Sequence, residues 1–243
     1  MRVMTFNIQH GRNFLTGVID LPAMAKEIEK CRADLVGLNE VYGKGVHPAF
    51  NGQTAILAEL LSCEEHFAPA IHLGAGPYGN GFLSFFPVVG AKTVKVPTVP
   101  RNHPGYFEDR SAYNAVVDTP EGRLTVIGCH FGLQPEEQAE CVKTVCALAD
   151  ASLYPVVLMG DFNVYPDDPV LAPIRKRLKD TADYAGGSDP TFPSNDPKNK
   201  IDYIFVSHDV DVLAVCTPKD VVSDHLPVYA DIRIKRPDDP HGT

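Results

Sequence analysis

Eight short runs of apolar and β-branched residues recur along the 243-residue chain, and each has the length of a β-strand. Helical periodicity predicts four helices between these runs. Because strands and helices follow one another through both halves of the chain, we predict a layered α/β fold. The predicted strands cover residues 3–8, 34–39, 82–86, 112–118, 124–130, 156–161, 201–206 and 228–234, and the predicted helices cover residues 21–31, 54–61, 136–149 and 170–178.

The predicted elements form one continuous series. No linker separates the two halves, no segment repeats at a fixed short period, and no tract is of low complexity. The sequence therefore predicts a single domain over residues 1–236, followed by a frayed C-terminal tail over residues 237–243.

The charge balance bears on the class of binding partner. The chain has 22 Lys and Arg against 31 Asp and Glu, which gives a formal charge of −9. Tight nonspecific binding to duplex nucleic acid needs basic residues spread along the backbone track. The local basic cluster of Arg175, Lys176, Arg177 and Lys179 lies in a predicted helix, where a solvated face explains it. Charge therefore argues against a nucleic-acid substrate without excluding one.

The apolar runs also bear on membrane insertion. The longest, such as residues 154–159, are far shorter than the roughly 20 residues that a bilayer requires, so we expect no membrane span. The N-terminal residues alternate like a strand and lack an apolar run with a cleavage site. We expect a cytoplasmic protein, or a secreted one if a signal peptide has been removed.

Acidic, amide and imidazole residues lie at the ends of six predicted strands. Ends of core strands are rigid, and the loops next to them are where sites are normally built. A single polar residue at a strand end is explained by solvation, but the whole set indicates a site. Its members are Asn7, Glu40, His130, Asp161, Asn163, Asp202, Asp224 and His225.

The residue types in this set indicate a metal-assisted reaction. Carboxylates without the Cys or His spacing of a zinc site favour a hard, oxygen-preferring cation. Glu40 and Asp224 suit Mg²⁺ or Mn²⁺, with water as the remaining ligands. The His and Asp residues left over would activate water and stabilise developing charge. The combination predicts hydrolysis of a phosphate ester.

The motifs around these residues resemble the endonuclease/exonuclease/phosphatase superfamily of metal-dependent phosphoesterases. The superfamily includes pancreatic-type DNases, abasic-site endonucleases, inositol-polyphosphate 5-phosphatases, neutral sphingomyelinases and deadenylases. The resemblance implies a four-layer α/β/β/α sandwich, with two mixed β-sheets packed face to face, helices outside, and the site at one edge. The motifs occur in the family order within residues 3–228: TFNI at 5–8, NE at 39–40, GNGFLS at 79–84, CHFGL at 129–133, GDFN at 160–163, IDYIF at 201–205 and SDHLPV at 223–228.

The resemblance also implies a metal-binding group. Glu40 is expected to be the principal ligand of Mg²⁺ or Mn²⁺, helped by Asn7 and Asp224. Two departures from the family pattern lie nearby. Asn39 replaces the glutamine that often precedes the metal glutamate, and Phe85 stands where many members have an arginine.

A second group of residues is expected to handle protons and the phosphate. Asp161 would orient or deprotonate the attacking water, and Asn163 would hold a phosphoryl oxygen. His225, paired with Asp202, would donate to the developing negative charge, and the pairing would fix its tautomer. His130 would contact the phosphate from the opposite side. The attack is expected in line, without a covalent enzyme intermediate.

Two further residues are candidate substrate contacts. Arg110 lies where family members often carry an arginine that faces the phosphate, although a surface ion pair with Glu108 or Asp109 explains it equally well. Asn80 is expected in a loop, where it would approach the substrate or serve in a plain turn.

Three functions remain open at this stage. Net charge and short length favour a phosphoesterase that acts on a small molecule or a lipid headgroup, most simply on a phosphodiester. A DNA or RNA nuclease of the same superfamily is the alternative, although the expected basic track is absent from the sequence. A non-catalytic binding module on this fold is the third reading, but such a module would normally have lost the candidate ligands.

Overall fold

Two six-stranded sheets form the centre of the protein. The computed structural model describes residues 1–48, 51–184 and 189–235, so the predicted tail over residues 237–243 lies outside the described residues. The strands of the first sheet are β1 (Arg2–Asn7), β2 (Leu35–Tyr42), β3 (Glu64–Leu73), β4 (Gly76–Ser84), β11 (Val210–Cys216) and β12 (Val228–Ile234). Those of the second are β5 (Val88–Lys95), β6 (Ser111–Thr119), β7 (Gly122–Cys129), β8 (Val156–Asp161), β9 (Lys179–Asp180) and β10 (Asp202–Val206).

Both sheets are mixed. Their strand orders are β11-β12-β1-β2-β4-β3 and β5-β6-β7-β8-β10-β9. The pairs β1–β2 and β7–β8 are parallel, and the other neighbouring strands pair antiparallel. Parallel neighbours end at the same edge of a sheet, which places the C-terminal ends of β1 and β2 together, with Asn7 opposite Asn39.

The core lies between the two sheets, and helices cover the outer faces. Residues of both sheets, such as Phe82 and Met159, are buried in one shared cluster. Helices α1 (Leu21–Cys31) and α2 (Gln53–Leu61) lie on the first sheet, and α3 (Pro135–Asp150) and α4 (Ala172–Arg175) lie on the second. These four layers confirm the α/β/β/α sandwich. Among the described helices, none combines the length and the apolar composition needed to cross a membrane.

Several predicted elements differ from the structure for local reasons. Strands β3 and β5 were not predicted, because half or more of their side chains are solvent-exposed and their sequences lack a regular apolar alternation. Strand β11 was also missed, although its sequence VDVLAVC is rich in apolar residues and most of its side chains are at least partly buried. Instead of one helix over residues 170–178, the chain forms a 3-10 turn at Pro169–Leu171 and then the single-turn α4. Pro173 has no N–H to donate, so it cannot continue the preceding turn.

Candidate active site

Glu40 is turned towards a cleft by an irregularity in β2. The register between β2 and β4 shifts between Leu38 and Val41, and Glu40 has a φ of 59°. A non-glycine residue in this region carries a conformational cost of about 1–3 kcal/mol, which persists only where the surroundings impose it. Here the register shift against β4 imposes it, and the Tyr78 hydroxyl fixes the carboxylate by donating a 2.9 Å hydrogen bond to Glu40 Oε2.

Asn7 connects the carboxylates of the two sheets. Its Nδ2 donates 3.1 Å hydrogen bonds to Glu40 Oε1 and to Asp161 Oδ2. Its Oδ1 accepts a hydrogen bond from the backbone N–H of Gln9 at 3.1 Å. The amide nitrogen rather than the oxygen therefore faces Glu40. A metal ion bound to Asn7 through Oδ1 would require the amide to turn over and to release Gln9.

His225 lies between two buried aspartates. Its Nδ1 donates to Asp202 Oδ2 at 2.9 Å, and its Nε2 is 3.6 Å from Asp161 Oδ2. The Thr191 hydroxyl donates a further hydrogen bond to Asp202 Oδ2. Burial alone would lower the pKa of His225, but the charges of Asp202, Asp161 and Asp224 outweigh it and raise the pKa to about 10. At neutral pH the imidazole is therefore a cation with an N–H on each nitrogen.

Asp161 is held rigidly at the end of β8. Its backbone N–H donates to Asn39 Oδ1 at 2.9 Å, and its Oδ1 accepts from the Asn163 N–H at 3.0 Å. Gly160 has a φ of 150°, and a Cβ there would be 1.9 Å from the Cys129 carbonyl oxygen, so only glycine lets β8 lie this close to β7. Burial, opposed by His225, raises the pKa of Asp161 to about 7.

His130 and Asn163 lie next to Asp161, with His130 Nε2 3.5 Å from Asp161 Oδ2. Asn163 has a φ of 50°, and its Nδ2 donates to the Phe131 carbonyl oxygen and lies near His130 Nε2, both at 3.1 Å. Burial, together with the nearby charges of Arg110 and His225, lowers the pKa of His130 well below its usual range. A neutral imidazole has one free lone pair, so His130 Nε2 is the acceptor of this hydrogen bond.

Arg110 faces the same cleft and is only 8% exposed. Its guanidinium is 3.6 Å from Glu108 Oε2, while its Nε has no hydrogen-bond partner in the described part of the chain. A buried donor without a partner is costly unless something binds it. This geometry combines the two sequence-based interpretations, because Arg110 pairs loosely with Glu108 and also faces the cleft.

Asn80 lies elsewhere than the sequence predicted. It belongs to strand β4 rather than to a loop, is 2% exposed, and does not line the cleft. Its Oδ1 accepts from Asn39 Nδ2 and its Nδ2 donates to the Ser111 carbonyl oxygen, both at 2.8 Å. Since Asn39 is in the first sheet and Ser111 is in the second, Asn80 joins the sheets instead of approaching a substrate.

The cleft has a volume of about 410 Å³ and is open to solvent. Asn7 and Asp202 lie behind its surface and position the residues that form it. An aromatic wall next to Glu40 was not predicted, and in it the rings of Tyr42 and Tyr78 are 4.7 Å apart and His10 lies within 6.5 Å of both. Tyr78 directly precedes the motif GNGFLS, but nothing in the sequence shows that its hydroxyl reaches Glu40.

The donor set in the cleft fits a divalent cation at Glu40 and Asp224. Burial and the charge of Glu40 both raise the pKa of Asp224, while the charge of His225 lowers it. Because the carboxylates of Glu40 and Asp224 repel each other, a cation bound between them would relieve that repulsion. Donor atoms of Asp161, Asp202 and His225 also lie within 4.8 Å of one another. A protonated His225 has no lone pair for a metal, so this second group fits proton handling better.

Comparisons with known proteins identify the family and the fold of the chain. The family model of the Endonuclease/Exonuclease/phosphatase family matches residues 4–225. A solved endonuclease/exonuclease/phosphatase from Beutenbergia cavernae DSM 12333 is 28% identical, with 96% of this chain and 71% of that chain covered and a TM-score of 0.79.

Two other solved structures share the fold at lower identity. The mannosyl-6-phosphatase Bt3783 of Bacteroides thetaiotaomicron VPI-5482 is 18% identical (96% of this chain and 99% of that chain, TM-score 0.77). A 2′,3′-cyclic phosphatase is 16% identical (97% and 96%, TM-score 0.72). A comparison with curated proteins finds no significant match. The chain belongs to the endonuclease/exonuclease/phosphatase family.

Proposed function

We propose that this protein is a metal-dependent phosphoesterase that hydrolyses the phosphate ester of a small molecule or a lipid headgroup. The observation that carries the proposal is the position of His225, which lies between Asp202 and Asp161 in a cleft that also contains Glu40 and Asp224. Such a cleft offers a cationic donor, a carboxylate base and an anionic site for a cation close to one another, and hydrolysis of a phosphate ester can use all three.

Glu40 and Asp224 would hold Mg²⁺ or Mn²⁺, with Asn7 as a further ligand once its amide has turned over. When bound, the cation would neutralise phosphate charge and stabilise the leaving oxygen. Tyr78 fixes Glu40 from the other side through its 2.9 Å hydrogen bond.

Asp161 would take a proton from the attacking water. A pKa of about 7 leaves a substantial fraction of this carboxylate ionised at neutral pH, and it makes the group a stronger base than an ordinary aspartate. The water oxygen forms a new bond to phosphorus as the bond from phosphorus to the leaving oxygen breaks. The leaving oxygen then takes a proton from solvent in the open cleft.

His225 would donate from Nε2 to the phosphoryl oxygen on which negative charge develops, while Asp202 holds its Nδ1. Arg110, which also lines the cleft, would bind a second phosphoryl oxygen through its unpartnered Nε. Asn163 Nδ2 donates a hydrogen bond to His130 Nε2 in this structure. When substrate binds, Asn163 would donate that hydrogen bond to the phosphate instead.

The charges of the cleft favour a substrate of low negative charge. Arg110 is the single Arg or Lys among the described lining residues, and it is already near Glu108. The acidic lining residues Glu40, Asp161 and Asp224 would repel a polyanion. The names of two structural neighbours, a mannosyl-6-phosphatase and a 2′,3′-cyclic phosphatase, are compatible with a small phosphate ester.

A panel of substrates tests this proposal. Purified protein would be incubated with Mg²⁺ or Mn²⁺ and, separately, with an aryl phosphodiester, an aryl phosphomonoester, phospholipid headgroups and supercoiled plasmid DNA, each with and without EDTA. We expect EDTA-sensitive hydrolysis of a small ester with little nicking of the plasmid. Efficient EDTA-sensitive nicking would instead favour a nuclease, and inactivity on every ester would contradict the proposal.

A further inference from the structure

A second depression continues from the cleft across three shared residues. Leu73, Tyr106 and Glu108 line both the cleft and a neighbouring groove of about 690 Å³. A molecule with its phosphate in the cleft therefore has an open path into the groove.

The groove has a mixed lining in which apolar residues form a strip on two sides. One side is formed by the β3–β4 hairpin, with Pro69, Ile71 and Pro77, and the other by Tyr106 and Phe107. At the junction Leu73 is 36% exposed and Tyr106 is 60% exposed. Exposed apolar residues that are contiguous with a site are typical of a surface that a ligand covers.

The Tyr106 side of the groove is held in place by hydrogen bonds. The Glu108 N–H donates to Glu137 Oε1 at 2.7 Å, and the Gln134 amide donates to the Tyr106 carbonyl oxygen at 3.2 Å. The Tyr106 hydroxyl donates to Glu108 Oε2 at 2.9 Å. These contacts attach the loop to helix α3 and its N-cap, so the groove has a fixed wall.

Some of the charges that line the groove are paired. Arg101 pairs with Asp109 at 3.0 Å, and Glu108 is shared by Arg110 and Tyr106, while Lys95 and His72 also line the groove. The apolar strip at Ile71, Leu73 and Phe107 therefore suits a neutral apolar group.

We propose that the groove binds one organic arm of a phosphodiester, and that this arm is apolar. The inference rests on the proposed function, which it extends by naming the bond type and the character of one arm. A phosphomonoester has one organic group on its phosphate and would occupy only one side of the cleft. A phosphodiester has two, so one would contact the aromatic wall at Tyr42 and Tyr78 and the other would lie in the groove.

Two diesters that differ in a single arm test this inference. Methyl p-nitrophenyl phosphate and hexyl p-nitrophenyl phosphate release the same phenol, so the ratio of their kcat/KM values reports the contribution of the arm. Burial of each methylene is expected to raise that ratio by about two- to fourfold. Ile71→Ala and Phe107→Ala each remove apolar surface from one wall, and each should lower the ratio.

Leu153→Ala is the matched control, because Leu153 is 89% exposed and lines neither depression. The control should keep the wild-type ratio. Equal kcat/KM for the two diesters, or a ratio that both groove variants leave unchanged, would overturn the inference while leaving the proposed function intact. Hydrolysis of an aryl phosphomonoester but of neither diester would overturn the inference alone, and inactivity on all three esters would overturn the proposed function as well.

Discussion

Replacing Asp202 by Asn tests how His225 is kept protonated. Asp202 Oδ2 is 2.9 Å from His225 Nδ1, and it is the first of the charges that raise the pKa of the imidazole to about 10. An opposite charge within about 4–6 Å shifts a pKa by about 1–3 pH units. In Asp202→Asn the pKa of His225 should fall by about that amount, since burial is then opposed only by Asp161 and Asp224.

The same substitution should reduce turnover. An asparagine carries no charge to stabilise the imidazolium, so His225 would remain a cationic donor over a narrower pH range and its Nδ1 would be held less firmly. Loss of a correctly held general acid–base group lowers kcat by about 10²–10⁴-fold. The assay is hydrolysis of an aryl phosphodiester over a pH series, combined with NMR titration of the His225 ring.

Asp180→Asn provides the control. Asp180 is also a buried aspartate of the second sheet, but it pairs with Arg175 and Lys200 at 3.2 and 3.3 Å. Its substitution should reduce stability without lowering the pKa of His225. An unchanged His225 pKa in Asp202→Asn, or an unchanged kcat, would refute the reasoning.

Three further substitutions test other parts of the site. The pKa of Asp161 is about 7 in the folded protein, against the ordinary value of 3.8 in the unfolded chain. Between these two pH values the folded protein holds a proton that the unfolded chain has released, so the free energy of unfolding should fall as pH rises. In EDTA, Asp161→Asn should flatten that fall in urea titrations, and an unaltered slope would contradict the shifted pKa. Asn80→Ala removes the hydrogen bonds to Asn39 and Ser111 and should lower the free energy of unfolding by about 1–3 kcal/mol. An unchanged free energy of unfolding would contradict the role of Asn80 in joining the two sheets. Tyr78→Phe removes the donor to Glu40 and should weaken Mn²⁺ binding about 10–100-fold by calorimetry; wild-type affinity would show that Glu40 needs no such support.

The sequence predicts the layered fold because buried strands carry strong apolar patterns. Core strands such as β1, β8 and β10 lie close to their predicted positions, and their ends bring the candidate residues together. Edge strands such as β3 were missed because a strand that is half exposed tolerates polar residues and proline, as at His66 and Pro69.

The details of the site depend on features that have no local sequence signal. The φ of 59° at Glu40 arises from a register shift against β4, a strand distant in sequence. Asn80 was interpreted as a loop residue because glycines flank it, yet those glycines lie inside a strand. Close packing explains one of them, because a Cβ on Gly81 would be 2.8 Å from Thr54 Oγ1. Such contacts can be known only once both partners are placed.

The rate of hydrolysis of one aryl phosphodiester as a function of Mg²⁺ concentration tests the central claim most directly. It would be measured for the wild type, for Glu40→Gln, and for Glu59→Gln, an exposed glutamate on α2 that serves as the control. We predict saturable, EDTA-reversible activity in the wild type and the control, and a much higher Mg²⁺ requirement with a lower maximal rate in Glu40→Gln. Identical Mg²⁺ curves for Glu40→Gln and the wild type, or activity that persists in EDTA, would contradict the account.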